Sequence, residues 1–541
     1  SIKYFKPIAT AYLSYIVAPG NSWILDFVAM TKNSRKLFLI AIFLFTFGAW
    51  FADGYLQWIN SDTAGEASGV SQYLGFPYAL IAPHYKFHAR ITATLLSYIP
   101  FHTIGYFYRQ ITHDPVNALY VSQGAMTGLV YVLFLLTSAA YVSFSASILS
   151  SRYLISAAIL MLLMIALPVL PLDAPLSLTV HFRHQSVMTN YVGTLMIALF
   201  ALYPYWRLVC TGKWEDWYSD IRLRILFYTL IIAAVFSSTA TMLWLGIVAG
   251  LGILSIVGYE RKLHDGCLRS FVVELLKNSK VRPLLLIIAL VIAGAIAESV
   301  HPRSNSAFAS IHSLEYLRTF ILFLQKGSHA FYALVFCGFF AIFASWYGKK
   351  RLAPASWNTA ADQGGIRAHH KTRLLTSHQA SLYSILPWLI SGNLAFIFVI
   401  GLPKVPYRFG GYNLGPDTML PATWTLTLWL TAAILDLWKN KILTWMAPPL
   451  IFAMITSAAF FFLFPGYKSR EIQRQILSRL YQENISVAID RPLPIPVENM
   501  AFSAHECRVY SIPLLRQMGI ISSQRQIAVV PQLEYNAWHT E

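Results

Sequence analysis

Long apolar runs along this chain are interrupted by charged or polar stretches, and the alternation is on the scale of whole helices. Apolar runs of about 18 residues or more, without two-residue alternation, predict helices able to cross a hydrocarbon layer of roughly 30 Å. The first such run covers 37–53, and others follow at 119–149, 153–170 and 187–205. From Ile225 to Tyr259 about 35 residues are nearly uncharged. At about 1.5 Å per residue this is too long for one crossing, so it predicts a helical hairpin turning near Ser237–Thr241. Residues 260–282 read as an amphipathic helix, and further apolar helices are predicted at 283–297, 330–347, 382–402, 420–438 and 442–464. After Pro465-Gly466 the hydropathy drops.

The expected fold class is therefore an all-α polytopic membrane protein with about eleven transmembrane helices. Residues 1–36 form a cytoplasmic or interfacial segment, 37–466 the membrane domain, and 467–541 a small extracytoplasmic tail domain. Lys32, Arg35 and Lys36 precede the first crossing and acids follow it, which puts the N-terminus inside and residues 54–118 outside. That first outer loop is polar at its start and carries two amphipathic stretches too mixed to span. The first crossing is expected to act as its own insertion signal, since the earlier run Ala9–Val17 is short and breaks at Pro19-Gly20.

Composition supports this picture. The chain has 541 residues, of which 56% are hydrophobic and 12% charged, with a mean hydropathy of +0.53. Soluble domains carry about twice that share of charge. The net charge of +17 does not call for a nucleic-acid partner. Most of the Lys and Arg fall in segments assigned to the inside, as membrane orientation requires. The four cysteines, Cys210, Cys267, Cys337 and Cys507, show no metal-ligand spacing, and only Cys507 is expected in an oxidising compartment, which argues against a disulfide framework or a zinc site.

Chemistry is expected in the outer loops. The first holds Asp62 and Glu66, then Lys86, His88 and Arg90; the later loops bring Arg183 and His184, Arg303 and Arg408. Arginine presents a fork of donors suited to phosphate oxygens, and an acid among such cations can take a proton from an attacking hydroxyl. The bland readings stand beside these. Asp62 would cap a helix beginning near Ala64, with Glu66 in its first turn. Asp53 would mark the interface, and Arg90, Arg183 and His184 would anchor to lipid head groups. No histidine pair has the spacing of a metal site.

Taken in order, these features resemble the GT-C superfamily of membrane glycosyltransferases. The resemblance rests on the first outer loop with its acid and amphipathic segments, and on the Asp62 region followed by HARITATLLSYI. It also rests on HFRHQSVMTNYVGTLMIALF, HPRSNSAF, and a tail opening GYKSREIQRQILSRLYQENISVAIDRPLPIP, read as an Arg-bearing helix, a short strand and a Pro-rich turn. More narrowly it is similar to a bacterial set of GT-C-like polytopic proteins.

The resemblance implies transfer of a sugar from a polyprenyl-phosphate donor to an extracytoplasmic glycan or glycolipid acceptor, with inversion, in a bacterial inner membrane. It makes Asp62 the base, with Glu66 second, and Arg90, Arg183, Arg303 and Arg408 contacts to phosphate or sugar. Many GT-C enzymes have acids adjacent or one residue apart, whereas Asp62 and Glu66 are four apart, which leaves a divalent metal open. The alternatives are an O-antigen polymerase or ligase using a diphosphate-linked donor, and a transporter or flippase of lipid-linked sugars. The last predicts polar groups deep in the apolar body, where few stand out apart from Gln123 and Asn393.

Overall fold

The computed structural model describes residues 31–68, 91–143, 147–166, 188–211, 220–261, 281–299, 467–487, 491–501 and 503–538, with isolated helical positions between 420 and 435. These residues are predominantly helical. The apolar stretches at 330–347, 382–402 and 442–464 lie outside the described residues, as does most of 260–282.

Helix α1 (Lys32–Tyr55) begins where Thr31 Oγ1 accepts a hydrogen bond from Ser34 N at 3.2 Å. A short helix α2 (Ser61–Ser68) follows. Next come α3 (Ile91–Pro100), a π turn at Phe101–Gly105 and α4 (Tyr106–Thr112), which follow one another without a break. Helix α5 (Pro115–Ser143) is capped by Asp114, whose Oδ1 accepts from Asn117 N at 2.8 Å. Both α1 and α5 are long and apolar enough to cross a membrane. They differ in setting. Helix α5 is apolar on all sides and buried, as a central helix is. Helix α1 leaves Leu37, Ile40 and Leu44 exposed on its outer flank, Leu44 by 60%.

The α1–α5 seam is built on small residues. A Cβ at Gly124 would stand 2.8 Å from Phe51 O, and one at Gly128 would stand 2.9 Å from Phe47 O. From α1, Gly54 meets the Thr127 side chain in the same way. The backbones thus approach closely, and Trp50 stacks on Tyr131 at 4.0 Å across the same seam.

Helices α6 (Ser151–Ala166) and α7 (Thr194–Thr211, entered through a π turn at Met188–Gly193) pack beside α5. Tyr141 OH donates to Leu199 O at 2.6 Å and Trp206 Nε1 donates to Tyr141 O at 2.8 Å, so the polar atoms of these rings are used. Helices α8 (Ile221–Val235) and α9 (Thr239–Arg261) form a hairpin that turns at 236–238, where the length argument placed the turn. Helix α10 (Val281–Ser299) packs on α9. Trp424 Nε1 donates to Ser138 Oγ at 2.9 Å, which brings the 420–435 region into the same core as Phe134, Leu199 and Trp244.

The tail comprises α11 (Tyr467–Ser486), strand β1 (Leu493–Pro496), a π turn at Cys507–Ser511, α12 (Ile512–Gln517), β2 (Ile527–Val530) and α13 (Gln532–Trp538). One expectation needs correcting: the Pro-rich run is itself the strand. Strand β1 pairs parallel with β2, from Leu493↔Ile527 to Pro496↔Val530. Leu493 N and Val497 N donate to Gln526 O and Val530 O, so Pro494 and Pro496 fall at alternate positions whose missing N–H would face away from β2. The prolines leave that edge without donors.

The tail does not enclose a core of its own. Leu477, Leu480, Leu493, Leu514 and Ile520 are buried in one cluster with Ile59, Ala64, Ala67, Phe101 and Leu119 from the segment around α2 and the start of α5.

Within the tail, the Arg525 guanidinium closes the end of α11. It donates to Asn484 O at 2.9 Å, Val487 O at 2.7 Å and Arg491 O at 3.3 Å. Asn484 O and Val487 O belong to the end of α11, where carbonyls lose their intrahelical partners, and Arg491 O lies just before β1. Arg525→Met should therefore cost about 3 kcal/mol, because buried acceptors lose their donors while volume is kept. The expected result is a lower Tm, with proteolysis beginning inside 484–525; an unchanged Tm would remove this role from Arg525.

Candidate active site around the helix at Ser61–Ser68

The first surprise concerns Asp62. Helix α2 begins at Ser61, three residues before the expected start. Its cap is Asn60, whose Oδ1 accepts from Thr63 N at 2.9 Å. Asp62 is the second helical residue and is not needed as the cap. A carboxylate there still benefits from the helix dipole. In helical register 62 and 66 share one side of α2, opposite Ala64, and Thr63, Ala64, Ala67 and Ser68 are buried. The side chains of Asp62 and Glu66 themselves lie outside the described residues. So do Lys86, His88, Arg90, Arg183, His184, Arg303 and Arg408, so the structure neither joins them to α2 nor separates them from it.

The surroundings of α2 are described. On one side lies α3, which is fastened to the apolar body through hydroxyls. Thr92 Oγ1 donates to Ala233 O at 2.7 Å and Ser97 Oγ donates to Thr189 Oγ1 at 3.1 Å. Thr194 and Ser238 each meet Thr241 Oγ1, at 2.8 and 3.0 Å, just below the α8–α9 turn. The amphipathic run from 91 to 112 is thus anchored by one face. Its other face leaves Leu95, Ile99, Tyr106, Phe107 and Ile111 in the open, Phe107 by 64% and Ile111 by 79%. A helix with such an apolar exposed stripe suits a lipid interface.

On the other side of α2 lies the tail. Gln473 and Gln517 reach the backbone of Ile59 and Ser68, and Arg109 Nη1 donates to Met518 O at 2.7 Å. The Arg470 guanidinium lies in the corner formed by the edge-to-face rings of Tyr55 and Tyr120, 4.5 and 4.9 Å from their centroids, and is only 4% exposed. Among the described residues, Glu471 lies 3.6 Å from its Nη1 and also pairs with Arg474 at 3.9 Å, while the two ring faces attract the cation. None of these tail groups stands out in the sequence, because they lie some four hundred residues from their partners. Asp53 is buried at the end of α1, where its Oδ1 accepts from Gln57 Nε2 at 3.2 Å, and so is part of the helix terminus. Gln123 is likewise structural: its Nε2 donates to Gly54 O at 2.7 Å and Gln57 O at 3.3 Å, closing the last turn of α1.

His102 sits where the three parts meet. Its Nε2–H donates to Ala67 O at 3.1 Å and its ring lies 4.0 Å from that of Tyr98. Burial lowers its pKa below the ordinary value of 6.5, with the bonds to Ala67 and Gln517 opposing part of the shift. The unfolded chain then binds a proton that the folded one refuses, so this contribution is full above the unfolded pKa and is lost as pH falls below it. Tm should fall between pH 7.5 and 5.5, and His102→Gln should flatten that dependence. Equal slopes for the two proteins would show that His102 does not set it. Cys507 is buried and unpaired with another cysteine, and burial pushes its thiol up to about 12, which leaves it protonated and unreactive.

Among the described residues no three His, Cys, Asp or Glu side chains converge on a point that could hold a metal ion. No family model matches this sequence, and neither a curated protein nor a solved structure matches it.

Proposed function

We propose that the protein is an integral membrane glycosyltransferase of GT-C type, residing in a bacterial inner membrane with its N-terminus cytoplasmic. It moves a sugar from a polyprenyl-phosphate donor to the hydroxyl of an extracytoplasmic glycan or glycolipid. In this reading Asp62 takes the acceptor proton and Glu66 assists from the next turn of α2. Lys86, His88, Arg90, Arg183, His184, Arg303 and Arg408 receive the departing lipid phosphate, which needs charge stabilisation more than a proton.

The observation that carries the reading is the setting of α2. A helix bearing two acids four residues apart is held at the end of an apolar, membrane-length helix, beside a rod with an exposed apolar stripe. The arrangement suits a hydroxyl acceptor from the aqueous side and an isoprenoid donor from the lipid side. Gln123 gives a translocation path no support, because its Nε2 donates to Gly54 O and Gln57 O at the end of α1.

Incubating the purified protein in nanodiscs with a labelled polyprenyl-phosphate sugar and a mixed glycan acceptor tests this. Covalent transfer with release of polyprenyl monophosphate is the expected outcome. Turnover only with a diphosphate-linked donor would favour a polymerase or ligase, and movement of label across the bilayer without covalent transfer would favour a flippase.

A further inference from the structure

Eight residues are too few for a helix to hold its own conformation in isolation, so the orientation of α2 has to come from what grips it. Both ends are gripped by the tail. Before the helix, Gln473 of α11 binds the backbone of Ile59 twice: Oε1 accepts from Ile59 N at 2.9 Å and Nε2 donates to Ile59 O at 2.8 Å. The same amide accepts from Tyr120 OH at 3.0 Å and donates to Asn499 O at 2.9 Å. Gln473 is 1% exposed and fully engaged. A buried amide costs free energy unless it is satisfied, and an apolar side chain would fill the same space without that requirement. Two bonds to one residue fix both its distance and its rotation.

At the far end, Gln517 Nε2 donates to Ser68 O at 2.7 Å, and His102 covers the neighbouring Ala67 O. Both bonds meet backbone carbonyls in the last described turn of α2. Between the two grips, Gly65 lies so close to Tyr510 that a Cβ there would stand 3.0 Å from its ring.

We infer that Gln473 and Gln517 are positioning residues for α2: the tail sets where residues 62 and 66 stand relative to α1, α3 and α5. The chemical importance of that placement rests on the function proposed above, whereas the mechanical coupling does not. The tail is then an alignment element, and the two glutamines are its points of contact with the acid-bearing helix.

Hydrogen exchange on the full chain in nanodiscs tests this without any substrate. Gln473→Met and Gln517→Met keep volume and delete the amide bonds. In each, amides of a peptide covering 59–68 should exchange about tenfold faster, while peptides from α5 and α8 keep their wild-type rates. Exchange in 59–68 equal to wild type in both variants would overturn the proposal, as would acceleration spread evenly over α5 and α8. If Gln473→Met does not fold, Gln517→Met decides, since it leaves the Gln473 amide in place. Where wild-type protein transfers sugar, both variants should lower kcat with KM for the donor unchanged. Loosening of α2 in a protein that transfers no sugar would leave the coupling standing and remove only the glycosyltransferase reading.

Discussion

Under the proposed function, Asp62→Asn should lower sugar transfer by roughly 10²–10⁴-fold, the range associated with losing a positioned general base. The substitution keeps the size and the hydrogen-bonding outline of the side chain and removes its ability to accept a proton at neutral pH. The structure makes the test cleaner than the sequence suggested. Had Asp62 been the cap of α2, any loss of turnover would have been confounded with unwinding of the helix. Asn60 is the cap, through its bond to Thr63 N at 2.9 Å. By its place in the first turn of α2, Asp62→Asn weakens the favourable interaction of a negative charge with the helix dipole by about 0.5 kcal/mol. Tm and the exchange rates of 59–68 should therefore match wild type while turnover collapses. Glu66→Gln should retain measurable transfer, because Glu66 lies one turn further from the helix start. Wild-type turnover in Asp62→Asn would end the assignment of the base, and a large loss in Glu66→Gln alone would move it to Glu66.

The largest expected effect on stability comes from Gly128→Leu. A Cβ at this position already stands 2.9 Å from Phe47 O and from the Phe47 ring, before any larger side chain is added. The carbonyl cannot rotate away, because it belongs to the hydrogen-bonded interior of α1. Helices α1 and α5 would have to separate, breaking the Trp50–Tyr131 stack at 4.0 Å and the Gly124 approach to Phe51 O. Overpacking of this kind costs about 3 kcal/mol where backbone opposes backbone. In the membrane setting proposed for this protein, the seam has no hydrophobic driving force to fall back on, since lipid chains are as apolar as the helix. The variant should show a large drop in Tm and faster exchange in both α1 and α5. Because α2 follows directly from α1, transfer should fall as well. An unchanged Tm would show that the seam can open without loss.

Several elements were legible in the sequence because they depend on local composition. Uninterrupted apolar character marked α1, α5, α6, α7 and α10, closely for α6 and α10 and with ends about six residues out for α5 and α7. The excess length of 225–259 over one crossing marked a hairpin, and the chain turns at 236–238. The loss of hydropathy after Gly466 marked the tail, and its charged first segment is helical through Ser486. The failures have one form. Asp62 and Asn60 are both good capping residues two positions apart, and the choice between them depends on where α2 starts, which its packing against the tail decides. Pro494 and Pro496 suggested a turn, yet they sit in a strand whose outward positions need no donor. The spacing of Gly124 and Gly128 is visible in the sequence, but the identity of the helix it receives is not.

The sequence by itself determined which of the described segments are apolar helices, where the polar interruptions fall and which residue types are concentrated in them. These follow from residue-by-residue transfer free energy and helix geometry. Only the tertiary structure decided that α2 is gripped by residues some four hundred positions later. It also decided that Arg470 lies over the rings of Tyr55 and Tyr120, and that Gln123 and Asp53 serve the end of α1. The reason is that a buried polar group takes whichever partner the packed chain brings within hydrogen-bonding distance, and its own neighbours in sequence carry no record of that partner.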